Sequence, residues 1–397
     1  MTETSIFTTA VHAGERAPRL DFMPVATPIY HAASYIYGEP EMLDAVFAGT
    51  RSGPVYARYG NPTNAALEVA VAALERGEAA LSYSSGMAAI YGALMGAGVR
   101  AGCTVVAAQD IYGATHTLLR DLFSSQGVVT HFVDVSDLEA VERALSESEA
   151  LALLVETISN PLLKVADLPG LGKLAHDVGA ALIVDNTFAT PYLCRPLSHG
   201  ADYVVHSATK YLGGHGDVLG GVVVTSESRR ARLHELNKLI GSNLGPQEAW
   251  LILRGLKTLP LRMQRQCESA LAVAEWLTRH PKVSKVNYPG LSEHPQHAQA
   301  VRLLERGGFG AMISFDLRSA DREAVFRLLG ALRLILPATT LGDVYSLVLY
   351  PAMSSHRSLP PEVRHEIGVG DGLVRLSVGI EDPADILADL AAALEAV

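Results

Sequence analysis

The sequence predicts an α/β protein: a mostly parallel sheet with helices on both faces, followed by a smaller C-terminal α/β domain. Three observations carry that expectation. Short apolar runs, "CTVVAA", "ALALLVE", "ALIVD", "DYVVHS" and "GGVVVT", recur along the first part of the chain. Segments of helical spacing lie among them, and strands buried on both faces read as unbroken apolar runs of this kind. Polar residues stand directly after several runs, where an open parallel sheet binds its ligands.

Taken in order, residues 1–60 are rich in Pro, Tyr, Thr and Ala with little periodicity and are expected to form an extended arm. "NAALEVAVAALERG" has helical spacing closed by a glycine. "AALSYSS" reads as a strand and "GMAAIYGALMGAG" as a helix. "CTVVAA" and "VVTHFVDV" are strands with a helix between them near 113–124, and Asp137 is placed to cap "DLEAVERALS". "ALALLVE", a helix near 167–178, "ALIVD", "DYVVHS" and "GGVVVT" complete the sheet. "RRARLHELNKL" and the long run "EAWLILRGLKTLPLRMQRQCESALAVAEWLTRH" read as helices. The strands "GAMISFDL" and "GLVRLSVGI", with helices at 321–332 and 383–396, give the second domain. The boundaries expected are an arm at 1–60, a large cofactor-binding domain at 61–255 and a small domain at 256–397.

Composition narrows the function. The 397 residues suffice for two domains. A net charge of -10 without a basic stripe argues against nucleic-acid binding. No apolar run approaches the ~20 residues of a membrane span, and the N-terminus lacks the pattern of a secretory signal. Cys103, Cys194 and Cys267 lie far apart, so neither a disulfide framework nor a cysteine zinc site is indicated, and a cytoplasmic location is expected. His294 and His297 have no visible third ligand and read as a surface pair rather than a metal site. "GAGVRAG" has no strand before it and is not read as a dinucleotide loop.

Four strand ends carry the chemistry. "LSYSSGMAA" places Ser84, Ser85 and Gly86 between a strand and a helix, where backbone N–H groups can hold a phosphate. "LLVETISNP" leaves Glu156 and Asn160, and "LIVDNTFATP" leaves Asp185. "HSATKYLGGHGD" leaves Ser207, Thr209 and Lys210 ahead of Gly213, Gly214 and Gly216, which let the chain turn sharply. A lysine, an aspartate and a phosphate cradle on one sheet edge point to pyridoxal 5'-phosphate: the lysine forms a Schiff base and the aspartate keeps the ring nitrogen protonated. Arg375 alternates with apolar neighbours and by itself reads as the solvent face of an edge strand.

The chain resembles the cystathionine γ-synthase, cystathionine γ-lyase and methionine γ-lyase family of pyridoxal-phosphate enzymes. The resemblance rests on "YARYGNPT", "SSGMAA", "DIYGATHTL", "ETISNP", "VDNTFATPYLCRPL", "HSATKYLGGHGD", "RGLKTLPLRM" and "GLVRLSVGIED", in that order. It implies the type I PLP-dependent transferase fold, similar to aspartate aminotransferase. It implies that Lys210 bears the cofactor, that Asp185 pairs with the ring nitrogen beside Thr187, and that Tyr112 stacks on the ring and helps move protons. Ser85, Gly86, Met87, Ser207 and Thr209 match phosphate-binding positions. Asn160 and Arg375 match the substrate-carboxylate site, with Thr340 and Tyr345 also expected at the substrate. Tyr56 and Arg58 match residues that reach a neighbouring subunit's site, which implies a homotetramer built as a dimer of dimers.

The implied reaction removes the α-proton through Lys210 and expels the γ-substituent with help from Tyr112. Water then gives γ-elimination and a thiol gives γ-replacement. Three departures bear on the choice. "TLGDVYSL" carries Tyr345 where many cystathionine-handling members, with S-L-G-G-V-E-S-L, carry glutamate, which favours a less charged side chain. Ala114 stands where methionine γ-lyases usually carry cysteine. "LYPAMSSHR" departs from H-P-A-S-x-T-H, so that Tyr350, Ser354 and Ser355 are expected to reshape the cavity entrance. The expected activity is γ-elimination of methionine, homocysteine or cystathionine to 2-oxobutanoate, ammonia and a thiol, with γ-replacement as the alternative. An inactive cofactor-binding regulator and a transaminase or β-lyase rank lower.

Overall fold

The computed structural model describes residues 4–16, 23–319, 321–354, 357, 362, 364 and 367–397. Seven strands form the first sheet: β1 (Ala79–Tyr83), β2 (Thr104–Ala108), β3 (Val129–Val133), β4 (Ala152–Glu156), β5 (Ala181–Asp185), β6 (Tyr203–Ser207) and β7 (Gly221–Thr225). Their order is β1-β7-β6-β5-β4-β2-β3. The run from β6 to β3 is parallel, while β7 is antiparallel to both of its neighbours. Strands β1, β4 and β7 are buried at every position, as continuous apolar runs between covering layers require. Helices Pro62–Glu75, Gly86–Gly96, Leu138–Ser148 and Leu168–Asp177 pack along this sheet.

The second sheet has five strands: β8 (Val283–Asn287), β9 (Met312–Leu317), β10 (Leu336–Pro337), β11 (Leu347–Leu349) and β12 (Leu373–Ser377). It runs β10-β11-β12-β9-β8 and is antiparallel apart from the short β10–β11 pair. Each sheet has its own buried core. Helix Leu259–Thr278 joins them: Leu259, Met263 and Cys267 lie in the first core, Ala270, Val273, Ala274 and Leu277 in the second. Among the described residues no helix is long and apolar enough to cross a membrane.

Three local expectations change. The arm is not wholly extended, because Ser5 caps helix Ile6–His12 and that helix buries Ile6 and Ala10, one turn apart. A second helix, Pro40–Phe47, starts on a proline, which suits a first helical position. The long helical run after residue 246 is two helices, Pro246–Leu256 and Leu259–Thr278. Pro260 explains the break, since its ring would clash with the carbonyl of Leu256 and it has no N–H to donate.

Candidate active site

The carboxyl ends of the parallel strands converge on a cavity of about 200 Å³ that opens to solvent. After β1 the chain turns through Ser84 and Ser85 into helix Gly86–Gly96. Ser85 caps that helix, its hydroxyl accepting from the Ala88 N–H at 3.1 Å. The N–H groups of the first turn have no partner within a helix, and Gly86 and Met87 of that turn line the cavity. A Cβ on Gly86 would lie 2.8 Å from the Ser207 Cβ, so glycine lets the helix start approach the end of β6.

β4 and β5 end side by side, with Glu156 paired in register to Asp185. Asp185 Oδ1 accepts from the Thr187 N–H at 3.0 Å and from the Thr187 hydroxyl at 2.5 Å. The Thr187 hydroxyl oxygen in turn accepts from the Ser207 N–H at 2.9 Å, tying β5 to β6. Burial pushes both carboxyls above the ordinary range, and the nearby Asp185 drives Glu156 further up. The Thr187 hydrogen bonds and the neighbouring His206 oppose the shift at Asp185. Two carboxyls this close and this buried disfavour each other's ionisation.

Lys210 follows β6 and its Nζ donates to the Thr340 hydroxyl at 2.8 Å. Burial brings its amine down to about 8, with Arg375 adding to the shift and Asp343 opposing it. Such an amine exchanges protons near neutrality. The opposite wall comes from the second sheet. β12 is its middle strand, so Arg375 is a buried arginine, 4% exposed, and not the outer face of an edge strand. Its Nη1 donates to Asn160 Oδ1 at 3.0 Å and its Nη2 to the Thr340 carbonyl at 3.3 Å. Its Nε has no hydrogen-bond partner, and a guanidinium held in this way presents donors suited to a carboxylate.

Of the residues singled out in the sequence, Ser85, Gly86, Met87, Tyr112, Glu156, Asn160, Asp185, Thr187, Ser207, Thr209, Lys210 and Arg375 line the cavity. Thr340 reaches it through Lys210. Tyr56, Arg58 and Tyr345 do not line it. Tyr56 is 47% exposed and Tyr345 52%. Arg58 lies over the rings of Tyr56 and Tyr59 and donates to the Lys238 carbonyl. Tyr350 is buried in the second core and donates to the Asp371 carbonyl at 2.8 Å, so it does not reshape the cavity entrance as expected. The Ser354 hydroxyl donates to the Tyr350 carbonyl, and Ser355 lies outside the described residues. Sequence reasoning gave no role to the apolar lining, Ile90, Ile158, Phe188, Leu219 and Leu341, for which periodicity offers no signal. It also passed over Asp343, which is buried and acts electrostatically on Lys210. That aspartate replaces the second glycine of the S-L-G-G pattern, which was the available signal.

The donor set fits pyridoxal phosphate. The Asp185 carboxyl is available for a ring nitrogen and the half-buried Lys210 amine for an aldehyde. A helix start beside Ser207 and Thr209 offers N–H and hydroxyl donors for a phosphate, in a cradle that a Cβ at Gly86 would fill. Comparison with known proteins agrees. Residues 7–395 match the family described as Cys/Met metabolism PLP-dependent enzyme. The chain is 44% identical to the L-methionine gamma-lyase of Fusobacterium nucleatum subsp. nucleatum, covering 100% of both chains. It is 46% identical to the cystathionine gamma-lyase of Bacillus subtilis over 94% of each. The crystal structure of cystathionine gamma-lyase from Lactobacillus plantarum complexed with L-serine superimposes with a TM-score of 0.91 at 37% identity, covering 99% of each chain. A match of this extent in sequence, together with a cavity built for the same cofactor, places the chain in the Cys/Met metabolism PLP-dependent enzyme family.

Proposed function

We propose that this protein catalyses γ-elimination on a sulfur amino acid, converting methionine, homocysteine or cystathionine with water to 2-oxobutanoate, ammonia and a thiol. The observation that carries the reading is the placement of Lys210, a half-buried amine, in one cavity with Asp185 and Arg375. Bound pyridoxal phosphate would supply an electron sink for the charge left when the α-proton departs. Arg375, aided by Asn160, holds the substrate carboxylate. Lys210 takes the α-proton and delivers it onward, and Thr340 orients its amine. Asp185 holds the negative charge that keeps a ring nitrogen protonated, with Thr187 fixing its orientation. Tyr112, on the cavity wall, gives a proton to the leaving sulfur. The apolar side chains Ile158, Phe188, Leu219 and Leu341 suit a thioether more than a second charged group.

γ-Replacement uses the same residues and differs only in the nucleophile, so a cystathionine γ-synthase or O-acylhomoserine sulfhydrylase activity is the second reading. Two arms on purified protein with pyridoxal phosphate separate them. The first holds methionine, homocysteine or cystathionine and is read as 2-oxobutanoate. The second holds O-acetyl- or O-succinylhomoserine with cysteine or sulfide and is read as the new thioether or thiol. Turnover in the first arm supports the lyase, and turnover confined to the second replaces it with the transferase.

The proposed assembly is a cytoplasmic homotetramer, a dimer of dimers with shared sites. Tyr56 and Arg58 would complete a neighbour's phosphate site, which agrees with neither of them lining the cavity of its own chain. Residues 61–255 would act as the cofactor domain and residues 256–397 as a small domain that supplies Arg375 and Thr340.

A further inference from the structure

Glu156 ends β4 beside Asp185, is 9% exposed and lines the cavity. Neither of its oxygens is spent on a cation: no salt bridge to Glu156 is found among the described residues. Instead Oε1 accepts from the Tyr112 N–H at 3.0 Å and Oε2 from the Asn160 N–H at 3.0 Å. The first loop follows β2, a neighbour of β4 in the sheet, and the second follows β4 itself. Tyr112 precedes helix Gly113–Thr117 after β2, and its side chain makes no cap to that helix. Asn160 lies in the turn after β4, and its side chain accepts from Arg375. One carboxyl group thus joins a continuous chain of contacts, Tyr112–Glu156–Asn160–Arg375, around one wall of the cavity.

We propose that Glu156 is a positioning residue: it holds the tyrosine that faces the cofactor ring and the asparagine–arginine pair that faces the substrate carboxylate at a fixed separation. This rests on the cofactor and substrate sites assigned above.

Glu156→Gln tests the proposal. It keeps the volume, but one terminal atom becomes a donor and only one of the two N–H groups can be held. Three quantities are read. The affinity of the apoenzyme for pyridoxal phosphate is expected to fall about tenfold, the weight of one lost buried hydrogen bond. The visible circular dichroism of the bound cofactor is expected to shrink as its ring loses a fixed partner. The KM of the amino acid substrate is expected to rise, and the rise is expected to be less than additive with Asn160→Ala, since both changes act on one chain of contacts. Unchanged affinity and dichroism, or full additivity, would overturn it. If Glu156→Gln does not fold, Glu156→Asp, one methylene short of both loops, is read in the same way. Affinity and dichroism need no turnover. Loss of these signals therefore bears on Glu156, whereas silence in both substrate arms of the wild-type enzyme bears on the proposed reaction.

Discussion

Replacing Arg375 with leucine gives the sharpest test of how the two sheets cooperate. The side chain is 4% exposed and bonds Asn160 and the Thr340 carbonyl at 3.0 and 3.3 Å. Truncating one partner of a buried, hydrogen-bonded charge pair costs about 2–5 kcal/mol. If that partner is the substrate carboxylate, KM for methionine rises about 30-fold to several-thousand-fold, at roughly 1.4 kcal/mol per factor of ten. The same change leaves Asn160 Oδ1 and the Thr340 carbonyl without their donor, at about 1–3 kcal/mol each. Urea denaturation reads that second loss separately from kinetics. A control substrate, 3-(methylthio)propylamine, lacks the carboxylate. The wild type is expected to discriminate strongly against it and the leucine variant to lose that discrimination. A KM for methionine within threefold of wild type in a folded variant, with discrimination retained, would refute the carboxylate assignment.

Other consequences follow from the same geometry. In the apoenzyme, labelling of Lys210 by an amine reagent is expected to titrate near 8. Burial disfavours the ammonium and lowers the value, so Arg375→Leu should raise it and Asp343→Asn lower it; a midpoint at 10.5 would show that the amine is not buried. Gly86→Ala places a methyl against Ser207 and is expected to weaken pyridoxal phosphate binding about tenfold, within the ordinary cost of overpacking; unchanged affinity would remove the helix start from the phosphate site. Arg58→Ala and Lys210→Ala proteins should each be inactive alone. Refolded together they should regain activity through hybrid sites, and no recovery would contradict the shared-site proposal.

The sequence revealed the large sheet because its strands are buried on both faces and so appear as apolar runs, as in "ALIVD". Lys210 and Asp185 were legible for the same reason, each standing just past such a run. The second sheet was harder. β10 and β11 have two and three residues, too short for a period, and β8 is interrupted by a bulge. Arg375 could not be placed by alternation, since one face of β12 meets the cavity rather than solvent. Strand-end position and a motif departure flagged Glu156 and Asp343, but their partners Tyr112 and Lys210 lie far off in sequence, and no local pattern encodes those pairings. Tyr345 shows the converse: a motif position singles it out, while its own chain turns it outward between the buried Asp343 and Ser346.

The central claim is that the cavity is organised around Lys210 as the cofactor-bearing amine. Borohydride reduction of the holoenzyme, digestion and mass mapping of the pyridoxyl label test it directly. The label is expected on the peptide containing Lys210, and is expected to be absent from Lys210→Ala protein treated in the same way. A label carried by another lysine, or retained by the variant at wild-type yield, would contradict it.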